Sequence, residues 1–277
     1  MAVAEFIVSF REFFEISLLI GIMLAYLRKA DKPQYVPSVW TGAAVAAAAS
    51  VAVALLLNAL RMDFDSYEML FEGATLILAA VLVTWFIFWM FGQKHIARQI
   101  ETGMRHEVEL GAKAGVAVFS FIAVFREGVE TVLFLEGINI ETGKLSLLGV
   151  LVGALAAIAL AYLVFRHVVR LDLKSFFNAT SVILILLAAG LVSQGVHELN
   201  EAGVMPTIVE HAWDFTPSLH SDGTYPALHP QGEAGSILRG LTGYDTAPSL
   251  MQVIAYWAYL MLVLAMYRRI ETAHGRG

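Results

Sequence analysis

The chain has 277 residues, 58% of them hydrophobic and 15% charged, with a mean hydropathy of +0.69, which excludes an ordinary soluble domain and makes lipid its solvent. The net charge of −6 includes no basic stripe, so a nucleic-acid surface is excluded. The absence of cysteine excludes disulfides, thiolate metal sites and iron–sulfur clusters, so any metal must meet oxygen or nitrogen.

Apolar runs long enough to cross about 30 Å of hydrocarbon at about 1.5 Å per residue fall near 3–27, 38–60, 67–92, 115–138, 145–166, 176–196 and 248–267. The first contains Arg11, Glu12 and Glu15, unlike the uncharged core of a signal peptide, and is expected to be a retained span. The second and fifth are rich in Gly and Ala and read as packing helices. One set of alternate loops holds thirteen Lys and Arg residues (28, 29, 32, 94, 98, 105, 113, 166, 170, 174, 268, 269 and 276), and the other holds only Arg61, Lys144 and Arg239. Basic loops stay cytoplasmic, so the N-terminus is expected outside and the C-terminus inside.

The first and fourth spans read FREFFEISLLIGI (10–22) and FREGVETVLFLEGI (125–138), an internal repeat shifted by 115 residues. With three spans per copy the two halves must insert in opposite orientations. The expected fold is therefore an all-α integral membrane protein of seven helices, two inverted three-helix repeats plus a seventh span. It forms one domain, 1–277: repeat one about 1–92, repeat two about 115–196, an external loop about 197–247 and the last span about 248–267.

Arg11, Glu12 and Glu15 lie midway along the first span, and Arg126, Glu127 and Glu130 midway along the fourth. Charges at that depth each cost a few kcal/mol and are rarely left without partners or a task. On a helix the two glutamates, at i and i+3, share a face, and the arginine reaches the second glutamate at i+4. If the faces meet across the repeat axis, four carboxylates and two guanidiniums converge with a formal charge of about −2, a site for a cation. Carboxylate oxygens suit hard ions such as Fe³⁺, Mn²⁺, Mg²⁺ or Ca²⁺. The competing reading is a pair of buried salt bridges that fix packing; the second glutamate in each motif and the recurrence of the motif argue against it.

These motifs resemble those of the high-affinity iron permease family, which includes fungal permeases that work beside a multicopper oxidase and bacterial iron permeases. The resemblance covers essentially the whole chain. The family signature is Arg-Glu-Gly-Leu-Glu in two spans; Arg126, Glu127, Gly128 and Glu130 match it, with Val129 as a mild change. The first span keeps Arg11, Glu12 and Glu15 but has Phe13 and Phe14 where the family often has Gly and Leu, which puts close backbone approach at Phe13 in question. The resemblance implies iron as the transported substrate, held by Glu12, Glu15, Glu127 and Glu130, with no catalytic cofactor and no enzymatic activity. The implied partners are the lipid bilayer and an external oxidase or periplasmic iron-binding protein. Fe³⁺ is the expected cargo, with Fe²⁺ or another divalent metal as the alternative. A membrane metalloenzyme is the remote one, because the histidines lie in loops or at span ends rather than at ligand spacing within the membrane.

Further resemblance places Glu68 and Glu72, i and i+4 neighbours, at the outer end of the third span, where they could pass a cation inward. Glu5 lies seven residues before Glu12, on much the same face, and is a mouth candidate; Glu136 reads as a helix-end charge. In the external segment His197 and Glu198 end the sixth span where a pathway should open, whereas His211, His220 and His229 read as solvated loop residues. The basic stretch 94–113 reads as a solvated amphipathic connector.

Overall fold

The computed structural model describes residues 2–63, 68–92, 96–166, 173–206, 208–220 and 224–274; among them there are helices and turns but no strand. The long helices are α1 (Ala2–Lys29), α2 (Val36–Asp63), α3 (Glu68–Gly92), α5 (Lys113–Thr142), α6 (Leu147–Phe165), α7 (Leu173–Glu201) and α9 (Leu250–His274). Two shorter helices, α4 (Ile96–Glu109) and α8 (Glu233–Thr242), lie between them. Each expected span falls on a long helix, with ends shifted by a few residues. The largest shifts are at α7, which continues through His197 and Glu198 to Glu201, and at α9, which runs to His274.

Among the described residues four stretches are long and apolar enough to cross a membrane by length and composition: Pro33–Ala59, Leu147–Phe165, Asn178–Glu201 and Leu250–Arg269. α1 and α5 are as long, but each carries an arginine and two glutamates near its middle, more charge than a purely apolar span holds. That is the expected signature of spans that carry a polar site.

Packing follows a reciprocal pattern. α1 packs along α6, α5 packs along α2, and α3 packs along α7, while α1 and α5 also meet. Exchanging the first three long helices for the next three maps this set of contacts onto itself. In lipid there is little hydrophobic drive to bring helices together, so close packing at small residues has to do it. At Gly42 an added Cβ would stand 2.2 Å from the Ala117 carbonyl oxygen of α5, and at Gly153 one would stand 2.5 Å from the Phe6 carbonyl oxygen of α1. Both crossings therefore need glycine. The same two helix pairs are pinned by hydrogen bonds: Ser120 Oγ donates to the Val39 carbonyl at 2.8 Å, and Ser146 N–H, at the start of α6, donates to Glu5 Oε1 at 2.9 Å.

α4 is an amphipathic connector, as expected, but it is only partly solvated. Its Ile100 and Met104 are buried against Met23 and Leu27 of α1, Tyr35 and Val39, and Val116 of α5. α8 was not foreseen. It folds back from the segment after α7 and packs on α7, α5 and α1, and Gly243 at its end lies against Gly190 in the body of α7. α9 then starts with a reciprocal cap, in which Ser249 N–H donates to Gln252 Oε1 at 2.8 Å and Gln252 N–H to Ser249 Oγ at 3.2 Å. Tyr259 of α9 hydrogen-bonds Thr84 of α3 at 2.7 Å, closing the bundle.

Candidate metal centre

The faces of α1 and α5 that carry the charged motifs meet inside the bundle. One carboxylate oxygen each from Glu12, Glu127 and Glu130 lies within 4.8 Å of the others, and the three residues are 0%, 0% and 4% exposed. Among the described residues this is the one group of three or more metal-ligating side chains at such spacing. Oxygens that share a hard ion at about 2.1 Å stand about 3 to 4 Å apart, so the three carboxylates would have to draw closer together to hold one cation between them. Glu12 Oε2 and Glu127 Oε2 are buried and accept no hydrogen bond, which leaves lone pairs for a ligand.

The arginines hold the other oxygens. Arg11 pairs with Glu12 through Nη1 and with Glu15 through Nη2 at 2.8 Å. Arg126 pairs with Glu127 through Nη2 and Nε, the latter at 3.0 Å, and with Glu130 through Nε at 3.4 Å. Each guanidinium bridges the two carboxylates of its own helix, the i+4 reach expected from the sequence. Glu15 is buried and paired with Arg11 but stands outside the close triplet, so the structure brings together three of the four motif glutamates.

Gly128 lies against Ser50 of α2: an added Cβ would lie 2.0 Å from Ser50 Oγ and 2.9 Å from Ser50 Cβ. The matching position in α1 is Phe13, and there the partner helix α6 presents Ala157 and Ala161. Phe13 and the fully buried Phe14 fill that space together with Phe10 and Phe176, the Phe14 and Phe176 rings meeting edge-on at 5.0 Å. The departure from the family signature is thus matched by small residues opposite it.

The other candidates lie apart from the triplet. Glu72 is half-buried next to Gly73, which abuts Gly195 and Leu199 of α7, so Glu72, His197 and Glu198 share one end of the α3–α7 pair. Glu198 Oε1 accepts from Gln194 Nε2 at 2.8 Å. Glu68 begins α3, and its side chain lies outside the described residues, as do Asp222 and the side chain of Glu233. The histidines of the exposed segment take part in its own turns. His211 Nδ1 meets the Ala247 carbonyl at 3.1 Å, and His229 Nδ1 accepts from Gln231 N–H at 3.1 Å. Asp214 accepts from Thr216 N–H at 2.9 Å, and this hydrogen bond holds its carboxyl below the usual carboxylate range. Glu5, a mouth candidate by its spacing from Glu12, caps the start of α6 with one carboxylate oxygen, a contact that no spacing in the sequence signals.

An all-helical bundle with several helices apolar enough to cross a membrane is the architecture of a multi-pass membrane protein. The chain matches the Iron permease FTR1 family over residues 2–273 and belongs to that family. It is 30% identical over 267 residues to the ferrous iron permease EfeU of Yersinia pestis, covering 95% of this chain and 92% of the relative. The ferrous iron permease EfeU of Escherichia coli O157:H7 is 28% identical over 270 residues, covering 95% and 94%. An uncharacterized protein of Archaeoglobus fulgidus is 34% identical over 271 residues, covering 96% and 94%. No solved structure matches this chain.

Proposed function

We propose that the chain imports iron across the cytoplasmic membrane, holding it between the helices at Glu12, Glu127 and Glu130, with Glu15 in reserve on Arg11. The observation that carries this is the convergence of three fully or nearly buried carboxylates from two separate helices. Ionised carboxylates at that spacing repel one another, and one cation among them relieves the repulsion. Two nearby guanidiniums offset part of the charge and could pair with the carboxylates while the metal is absent. The chain is read as a transporter rather than an enzyme, and family membership supports that reading.

The proposed architecture is seven spans in two inverted repeats, with the N-terminus outside. The reciprocal packing of α1 with α6 and α5 with α2 supports it, and so does the thirteen-to-three bias of basic loop residues. Rocking of one repeat against the other would expose the triplet to each side in turn. Hard oxygen ligands suit either oxidation state of iron. The names of the bacterial relatives favour Fe²⁺ over the Fe³⁺ expected from the sequence. An external oxidase or a periplasmic binding protein is the proposed donor.

Uptake of radiolabelled iron into proteoliposomes, supplied as ascorbate-reduced Fe²⁺ and in parallel as Fe³⁺ citrate, tests the reading with Mn²⁺ and Zn²⁺ as competitors. Saturable uptake of one iron species, lost in Glu127→Gln, is the expected result. Uptake of Mn²⁺ in preference to both iron species would replace iron with another divalent metal.

A further inference from the structure

The triplet accounts for the oxygens at the crossing of α1 and α5, yet α1 holds two more buried oxygens that the packing leaves unused. Glu5, Ser9 and Glu12 fall at i, i+4 and i+7, one stripe of the helix. All three residues are 0% exposed. Each has one oxygen with no hydrogen-bond partner: Glu5 Oε2, Ser9 Oγ and Glu12 Oε2. An unsatisfied polar group within a membrane bundle is costly and calls for an explanation.

Ser9 stands out among the hydroxyls of the long helices. Ser17, Ser50, Thr84, Thr131 and Thr180 each donate to the carbonyl four residues back, the usual way a helix satisfies such a group. Ser9 makes no such bond, and its buried hydroxyl is left without a partner. Ser181 is also without a partner, but no acidic residue shares its stripe on α7.

The stripe is fixed at both ends. Glu5 sits beneath the exposed loop joining α5 and α6, where its Oε1 takes the Ser146 N–H and leaves Oε2 over. Glu12 ends it in the triplet. Along the helix axis the steps are about 6 Å from Glu5 to Ser9 and about 4.5 Å from Ser9 to Glu12, short enough for a cation to be handed from one oxygen to the next.

We infer that Glu5 and Ser9 form, with Glu12, an oxygen ladder that carries the metal cation from the α5–α6 loop to the buried carboxylates. Glu5 is then a cap and a ligand at once, with one oxygen for each task. The Ser9 hydroxyl supplies a neutral relay, which binds a partly dehydrated cation without trapping it between two carboxylates. The inference rests on the proposed role of the Glu12–Glu127–Glu130 site, and its test separates the two.

Because the chain has no cysteine, Ser9→Cys introduces a single thiol. In proteoliposomes holding the full chain, a small cationic methanethiosulfonate added from the α5–α6 side should label that thiol, and Fe²⁺ should slow the labelling. Ser9→Ala and Glu5→Gln should each lower the initial rate of Fe²⁺ uptake about tenfold while equilibrium Fe²⁺ binding to the purified chain is kept. Glu12→Gln should lose both. If Ser9 is only a packing residue, Ser9→Ala transports at the wild-type rate and melts at an equal or higher temperature, since a lone buried hydroxyl has been removed. That result, or a Ser9→Cys thiol that resists labelling, overturns the ladder while Glu12→Gln still abolishes uptake. Uptake that persists in Glu12→Gln overturns the carboxylate site itself.

Discussion

The two motif helices carry the same charges in unequal surroundings. Around α1, Arg11 is 3% exposed, and the residues after Glu12 are phenylalanines locked into an aromatic cluster with α6 and α7. Around α5, Arg126 is 30% exposed, and the residue after Glu127 is a glycine on which Ser50 of α2 rests. Beside the motif, one half is filled by aromatic rings and the other by the Ser50 side chain set against a glycine. The comparison teaches that a repeated helix pairing can be kept while the side chains that fill it diverge, provided the partner helix changes with them. Ala157 and Ala161 make room for Phe13 and Phe14, whereas Ser50 takes the room that Gly128 leaves.

The largest expected effect falls equally on the two halves. Glu12→Gln and Glu127→Gln should each lower iron uptake at least about 100-fold, the scale of removing one partner from a buried charge cluster. A variant of one half that transports normally would break the equivalence of the two motifs. Glu15→Gln should cost less, about tenfold, because Glu15 lies outside the triplet and acts through Arg11. Uptake assays on folded variants decide both points.

The arginines should separate the halves. Lysine cannot reproduce a guanidinium that bridges two carboxylates. Arg11→Lys, in the sealed half, is expected to lower the melting temperature of the purified chain more than Arg126→Lys does, since Arg11 is the more deeply buried of the two. Equal losses would mean that the difference in exposure has no energetic weight. Gly128→Ala should destabilise by about 1–3 kcal/mol through overpacking on Ser50, and Ser50→Gly should restore much of it. Full stability of Gly128→Ala alone would show that α2 yields easily there.

The smallest effect lies outside the bundle. The hydrogen bond from Thr216 N–H lowers the folded pKa of Asp214, so the turn gains stability that is complete above the ordinary carboxylate pKa of about 3.9 and is lost as pH falls through the lowered value. An acid change in Trp213 fluorescence should therefore vanish in Asp214→Asn with transport untouched. An acid change that survives in the variant would assign it to another group.

Much of this was legible in the sequence because hydropathy sets the long helices and charge at mid-helix picks out the residues that form the buried cluster. The pairing of Arg11 with Glu15 and of Arg126 with Glu130 follows from helix spacing alone. Which glutamates would form the close triplet was not legible, because that depends on how α1 and α5 are rotated where they cross. The fold-back of α8 was hidden for a similar reason: GSILRGLT is too short and mixed to announce burial, and its docking depends on Gly190 in a distant helix. Glu5 was seen, but its hydrogen bond to Ser146 joins residues 141 positions apart, beyond any local pattern.

The central claim is that one iron ion sits among Glu12, Glu127 and Glu130. X-ray absorption at the iron edge of the loaded full chain in nanodiscs tests it most directly. The account predicts a first shell of oxygen atoms alone, which disappears when Glu12→Gln is combined with Glu130→Gln. A shell unchanged in that double variant, or one with imidazole scattering, would contradict it and move the iron site away from the crossing of the two motif helices.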